Sequence, residues 1–154
     1  MPLFQSRQVR ARDPIPSIPA AAQVVPIQAE FVVPAGGIAV NDVVEMHGVP
    51  PNVRVLDAVI HNSACGASAT AAFGYLSGAY GSQVQTRTCG TEFATGLDMN
   101  GTAIKRMTAS QLSGPPAPTA PGTTDDMVGW GFRVTGAGWA AGATIRATLY
   151  VAAL

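Results

Sequence analysis

Any chemistry this chain performs has to come from a short set of residues. The first candidate is "VTGAGWAAGAT", residues 134–144. Within it Gly136-Ala137-Gly138-Trp139-Ala140-Ala141 fits G-x-G-x-x-G/A, the fingerprint of a dinucleotide-binding turn, and it comes after a strand-like "GWGFRVT". Such a turn works only where it opens a helix, because the helix N-terminus holds the pyrophosphate. Here it runs into the β-patterned "TIRATLYV". That leaves no room before Leu154 for a crossover helix, a second strand or the acidic residue about 20 positions on. The stretch is therefore expected to be a turn between the last two strands, with Trp139 covering an end of the domain or a partner.

The other candidates are His47, His61, Cys65 and Cys89. His61, Cys65 and Cys89 offer three soft donors to zinc, but their spacing matches no established zinc site. A Cys65 nucleophile with His61 or His47 as base lacks a third residue to orient the base. Ser63 and Ser68 lack a G-x-S-x-G elbow. Asp125-Asp126 is the single adjacent acidic pair and reads as turn charge. No catalytic residue, cofactor or metal ligand is expected. The two cysteines read as reduced, semi-buried thiols, with a single bridge between them left open.

Composition points the same way. Hydrophobic residues make up 47% of the chain and charged residues 12%, half the ~25% typical of soluble domains. So sparse a charge implies a surface that something covers. The formal net charge is zero, which argues against a nucleic-acid binder. No apolar run is long enough to span a membrane. The start, "MPLFQSRQVRARDPIP", has no apolar signal core, which predicts synthesis without a secretory leader, in a cytoplasm.

The elements that would position these residues are β. Residues 1–28 read as an extended arm, because Pro14, Pro16, Pro19 and Pro26 interrupt helix and central strand alike. It is too apolar for a solvated linker, and Arg7, Arg10 and Arg12 make its start basic. Residues 29–154 read as one domain of short strands. "AEFVVPAGG" ends at Pro34; "NDVVEMHGVPPNVRVLDAVIHNS" holds two strands about a turn; "SATAAFGYLSG" is another; "QVQTRTCGTEFA" alternates loosely; "TAIKRMTA" is a short strand or a helical turn; and "SGPPAPTAPGTT" is a loop. The end is clearest. Trp130, Phe132 and Val134 alternate with Gly131, Arg133 and Thr135, and Ile145, Ala147, Leu149 and Val151 alternate with Thr144, Arg146, Thr148 and Tyr150. Period two marks half-buried strands. An all-β antiparallel sandwich or barrel with an extended proline-rich amino-terminal arm is expected.

One family pattern lies over these strands. Asp42-Val43-Val44-Glu45-Met46, then Val49-Pro50-Pro51-Asn52-Val53-Arg54-Val55, then Ala58-Val59-Ile60, Ala69-Thr70 and Gly74-Tyr75 resemble the recurring motifs of the tailed-phage head decoration, or cement, proteins. The carboxy-terminal "GWGFRVTGAGWAAGATIRATLYV" resembles that family's closing hairpin. The resemblance covers roughly residues 38–76 and 127–152; the proline-rich arm, the 105–124 loop and the Val49-Pro50-Pro51 turn depart from it. It implies a jelly-roll-like sandwich on the outer capsid surface of the virion, made in the host cytoplasm. Its partners would be the major capsid protein and sister subunits in a dimer or trimer, with neither nucleic acid nor membrane. Partner contacts are expected from Phe4, Arg7, Arg10, Arg12, Ile15, Ile18 and Trp139. Phe4, Ile15 and Ile18 would fill apolar grooves, and the arginines would meet capsid carboxylates. Two rivals are a glycan- or receptor-binding sandwich using Trp130, Trp139 and Tyr75, and a small metalloenzyme using His61, Cys65 and Cys89.

Overall fold

The computed structural model describes residues 2–14, 23–51, 53–107 and 127–153. The chain runs β1 (Leu3–Gln5), α1 (Arg7–Ala11), β2 (Val24–Val32), β3 (Val43–Val49), β4 (Val53–Asn62), β5 (Thr70–Ala79), β6 (Ala94–Asp98), β7 (Ala103–Met107), β8 (Val128–Val134) and β9 (Thr144–Ala153). These form a five-stranded sheet, β1-β3-β8-β5-β6, facing a four-stranded sheet, β2-β9-β4-β7. The expected antiparallel sandwich is what forms; the one exception among the described strand pairs is β1, which joins β3 in parallel.

The period-two patterns place the core as expected. From the four-stranded sheet Ile27, Phe31, Ile60, Ile145 and Leu149 point inward. From the other sheet come Met46, Phe73, Trp130 and Phe132. Phe73 stacks on Phe132 with ring centroids 4.6 Å apart and meets Phe93 at 4.9 Å. Aromatic rings prefer such offset or tilted contacts, which add to the gain from burial. Within "TAIKRMTA", Ala103–Met107 is strand β7, whereas 83–92 forms no strand and has an isolated bridge between Leu76 and Cys89.

The amino-terminal stretch differs from the extended arm expected of 1–28. Leu3–Gln5 is a sheet strand, Arg7–Ala11 is a helix, and β2 starts at Val24. The helix has a local cause. Ser6 caps it by accepting a hydrogen bond from the Val9 amide, most of its residues are good helix formers, and the first proline after the cap, Pro14, comes beyond its end. Arg12 ends it in the left-handed region, at φ 54°. Pro26 is tolerated inside β2 because that strand is an edge. The Glu30 amide donates to the Gln8 side chain, not to β9. Pro26, four residues earlier, has its nitrogen on that same open side, where no ladder bond is lost. Ile15 and Ile18 lie outside the described residues.

Gly131 answers a different constraint. The register of β3 against β8 shifts between Glu45 and His47. There the β3 backbone comes so close that a Cβ at Gly131 would overlap the Val44 carbonyl oxygen. Backbone yields less readily than a side chain end. Gly131→Ala is expected to cost about 3 kcal/mol, read as a lowered midpoint in urea unfolding; a loss below a few tenths would show that the two strands can move apart.

Candidate functional site

The outer face of the five-stranded sheet is not bare. Residues of β3 that point away from the sandwich core, Val43, Glu45 and His47, are buried. The chain between β5 and β6 folds back over them, and β1 with α1 closes the edge. Val43, Leu76 and Cys89 form a small apolar cluster there, with Leu3 packed against it.

At the centre of this layer stands a buried ion pair. Arg87 Nη1 lies 2.7 Å from Glu45 Oε1, and the two side chains are 3% and 0% exposed. Burying two charges is costly unless their remaining valences are filled. Here most are. Glu45 also accepts from Gln5 Nε2 at 3.1 Å and from the Gly81 amide at 3.2 Å. Arg87 donates through Nε to the Ser77 carbonyl at 2.7 Å and through Nη1 to the Ser82 carbonyl at 3.2 Å. Its Nη2 has no partner among the described residues. Gly129 of β8 makes the room, since a Cβ there would strike the Glu45 carboxylate and Arg87 Nη2. Gln5 belongs to β1, so the pair ties the amino terminus to the 77–87 return.

The hook formed by β1 and α1 is pinned from below. The Ser6 amide donates to the Glu45 carbonyl at 2.8 Å, and its hydroxyl to the Met46 carbonyl. Val9 is buried, whereas Arg7, Arg10 and Arg12 are exposed or nearly so. None of these arginines forms an ion pair among the described residues, unlike Arg106 with Asp57 and Arg146 with Glu30. Arg10 also lines a groove with Phe4, Phe31, Val32, Gln83 and Gln85 between the edges of the two sheets.

The expected site residues therefore separate. Arg7, Arg10 and Arg12 come together on one short helix and its cap. Phe4 is half-buried: it meets Phe31 of its own chain edge-on at 6.4 Å, packs against the core and lines the groove beside Arg10. Trp139 is 1% exposed. Its amide donates to the Ile38 carbonyl at 2.9 Å, and its ring meets Phe132, so it plugs an end of its own sandwich. Tyr75 and Trp130 are buried too, which leaves the glycan-binding alternative without its aromatic platform. Glu45 and Arg87, which organise the layer, were not singled out by spacing. The available signal was a carboxylate inside the apolar run "DVVEM", with Gly129 to accommodate it.

The cysteines and histidines do not converge. Both thiols are free and buried. Cys65 lies in the main core and Cys89 in the outer cluster. Burial raises the Cys65 thiol to about 11 and the Cys89 thiol to about 12, the latter helped by Glu92. These are the wrong direction for a nucleophile. Among the described residues no three or more of His, Cys, Asp and Glu are grouped to hold a metal ion, and no helix is long and apolar enough to cross a membrane.

Fold and side chains together define a two-sheet β-sandwich with a basic amino-terminal hook locked by a buried ion pair. The chain is similar to one in the structure of the capsid of Ralstonia phage GP4, with TM-score 0.83, 23% identity, and 99% of this chain and 98% of that one covered. It is similar more distantly to a chain in the cyanophage Pam1 capsid asymmetric unit, with TM-score 0.50, 14% identity and 92% of each chain covered. No protein-family model and no curated protein matches the sequence.

The buried pair and the histidine beside it can both be tested by unfolding. Arg87→Met strands Glu45 in a dry site and is expected to cost about 3–5 kcal/mol, whereas Arg87→Met with Glu45→Leu recovers most of that loss. Urea unfolding of both variants reads this, and equal losses in the single and the double variant would contradict it. His47 shares a hydrogen bond with the Tyr80 hydroxyl at 3.1 Å. Its burial holds the imidazole below its ordinary value of 6.5, opposed by Asp13. A lowered folded value means that the unfolded chain takes up the proton first. Stability is then complete above about 6.5 and is lost as pH falls through the folded value. The urea midpoint should decline from pH 7 to about pH 5, and His47→Gln should flatten that part of the curve.

Proposed function

We propose that this chain is a non-enzymatic structural protein of a phage virion. It binds the outer surface of the capsid and stabilises the expanded head by bridging subunits of the major capsid protein. The likeness over the full length to a chain of the GP4 capsid is the observation that carries the reading. The physics of the hook supports it. Arg7, Arg10 and Arg12 project from a helix whose other side is fixed to the sandwich, so little backbone freedom remains to be lost on docking. Exposed guanidinium groups with no ion pair among the described residues suit the carboxylates of a partner surface, in bidentate geometry. Many copies on one shell multiply a modest contact through avidity. A small homo-oligomer is the form in which it acts.

Co-sedimentation with expanded heads lacking the protein, beside unexpanded proheads, tests the proposal. Saturable binding to expanded heads is expected. Replacing Arg7, Arg10 and Arg12 together by alanine should weaken it by about tenfold or more. Raising the salt concentration should weaken the native protein more than the triple variant. Binding to neither particle would end the capsid assignment; undiminished binding by the triple variant would move the contact elsewhere on the molecule.

A further inference from the structure

We infer that the protein self-associates as a two-fold dimer through the outer face of its four-stranded sheet, an inference that rests on the proposed homo-oligomer and not on head binding. The two faces of the sandwich are treated differently. The five-stranded sheet is covered from outside by the chain itself. Among the described residues, the outer side of β2-β9-β4-β7 carries no comparable layer, and its residues are those of a covered surface. Ile104 is 70% exposed, Val24 52%, Val32 51% and Leu56 41%. The strand register puts Tyr150 opposite Asp57, and Thr148 opposite Val59, on the same side. Val24, Leu56, Val59 and Tyr150 line one shallow depression there. Ile104 lines a second with His61 and Arg146.

Charge identifies the occupant. The acidic groups on this face are already neutralised in place, Glu30 by Arg146 and Asp57 by Arg106. A strongly charged partner would find little to bind. A second copy of the same face meets no large like charge, because what remains is chiefly Arg54 and His61. An isologous contact requires such self-complementarity.

Area agrees. Strands β2, β9, β4 and β7 have 9, 10, 10 and 5 residues, which at ~3.3 Å rise and ~4.8 Å spacing cover about 540 Å². Two such faces bury about 1,100 Å², above the ~1,000 Å² that a specific interface needs. Packed sheets lie ~10 Å apart with their strands aligned to within about 30°. The position of the hook fits as well. Helix α1 packs at the β1, β2 and β3 side, while β7 is the opposite edge of the four-stranded sheet. A dimer centred on this face leaves both sets of arginines free.

Sedimentation velocity of the full chain over a concentration series is the test. The native protein is expected to run as a dimer. Leu56→Asp and Ile104→Asp, on different strands, should each shift it towards monomer by at least tenfold in dissociation constant. Val84 is 56% exposed but lies on the other side of the molecule, so Val84→Asp should leave the dimer intact. Circular dichroism checks that each variant is folded; if one is not, Thr148→Lys takes its place. A native monomer at every concentration, a trimer, or dissociation by Val84→Asp as strong as by Ile104→Asp would each overturn the proposal. Because heads are absent from this experiment, its result is separate from that of capsid binding.

Discussion

The outer layer of the molecule depends on one carboxylate. Glu45 sits on the wrong side of β3 for the core and in the wrong place for solvent, and it is buried all the same. That is tolerable only while Arg87, Gln5 and the Gly81 amide converge on it. Arg87 and the Gly81 amide belong to the 77–87 return and Gln5 to the amino-terminal strand, so satisfying one charge fixes both of these segments and, through Ser6, the start of α1. An apolar residue at position 45 could fill the same volume without dictating which segments meet there. A buried ion pair with so many defined partners contributes more to the uniqueness of the arrangement than to its stability.

The consequence for the hook is rigidity at the base and freedom at the tip. Val9 and Ser6 are held, and the arginines of α1 are not. The grouping of cations that form no ion pair among the described residues at the amino terminus contrasts with Arg106 and Arg146, which are paired on the four-stranded sheet. The same few charged residues thus separate into two surfaces of different character, one with exposed arginines at the amino terminus and one whose carboxylates are paired in place.

Much of the architecture was legible because it comes from alternation. In β8 and β9 every second residue is apolar, and those residues are the core. The glycine-rich stretch before β9 is the turn its context implies, since the segment after it has the wrong period for a helix. Long-range pairing was not legible. Glu45 and Arg87 are far apart in sequence, and nothing local announces that they meet. Helix α1 was obscured because the prolines from Pro14 onward dominate the composition of the stretch, while the segment before them has its own cap and its own propensity. Trp139 shows a further limit. A tryptophan in a loop can be a plug as readily as a contact, and only the Ile38 bridge decides which.

Strand β9 lies between β2 and β4, so the four-stranded sheet is completed by residues 144–153. During synthesis β2 and β4 leave the ribosome with apolar inward faces and no common neighbour, and β3 and β5 wait in the same way for β8. Few native contacts are local, which is the condition for slow, late folding. The nascent chain therefore spends most of its elongation with open strand edges. The cell must tolerate that exposure for every copy it makes, and a high yield then depends as much on how fast the last strands arrive as on how stable the finished sandwich is.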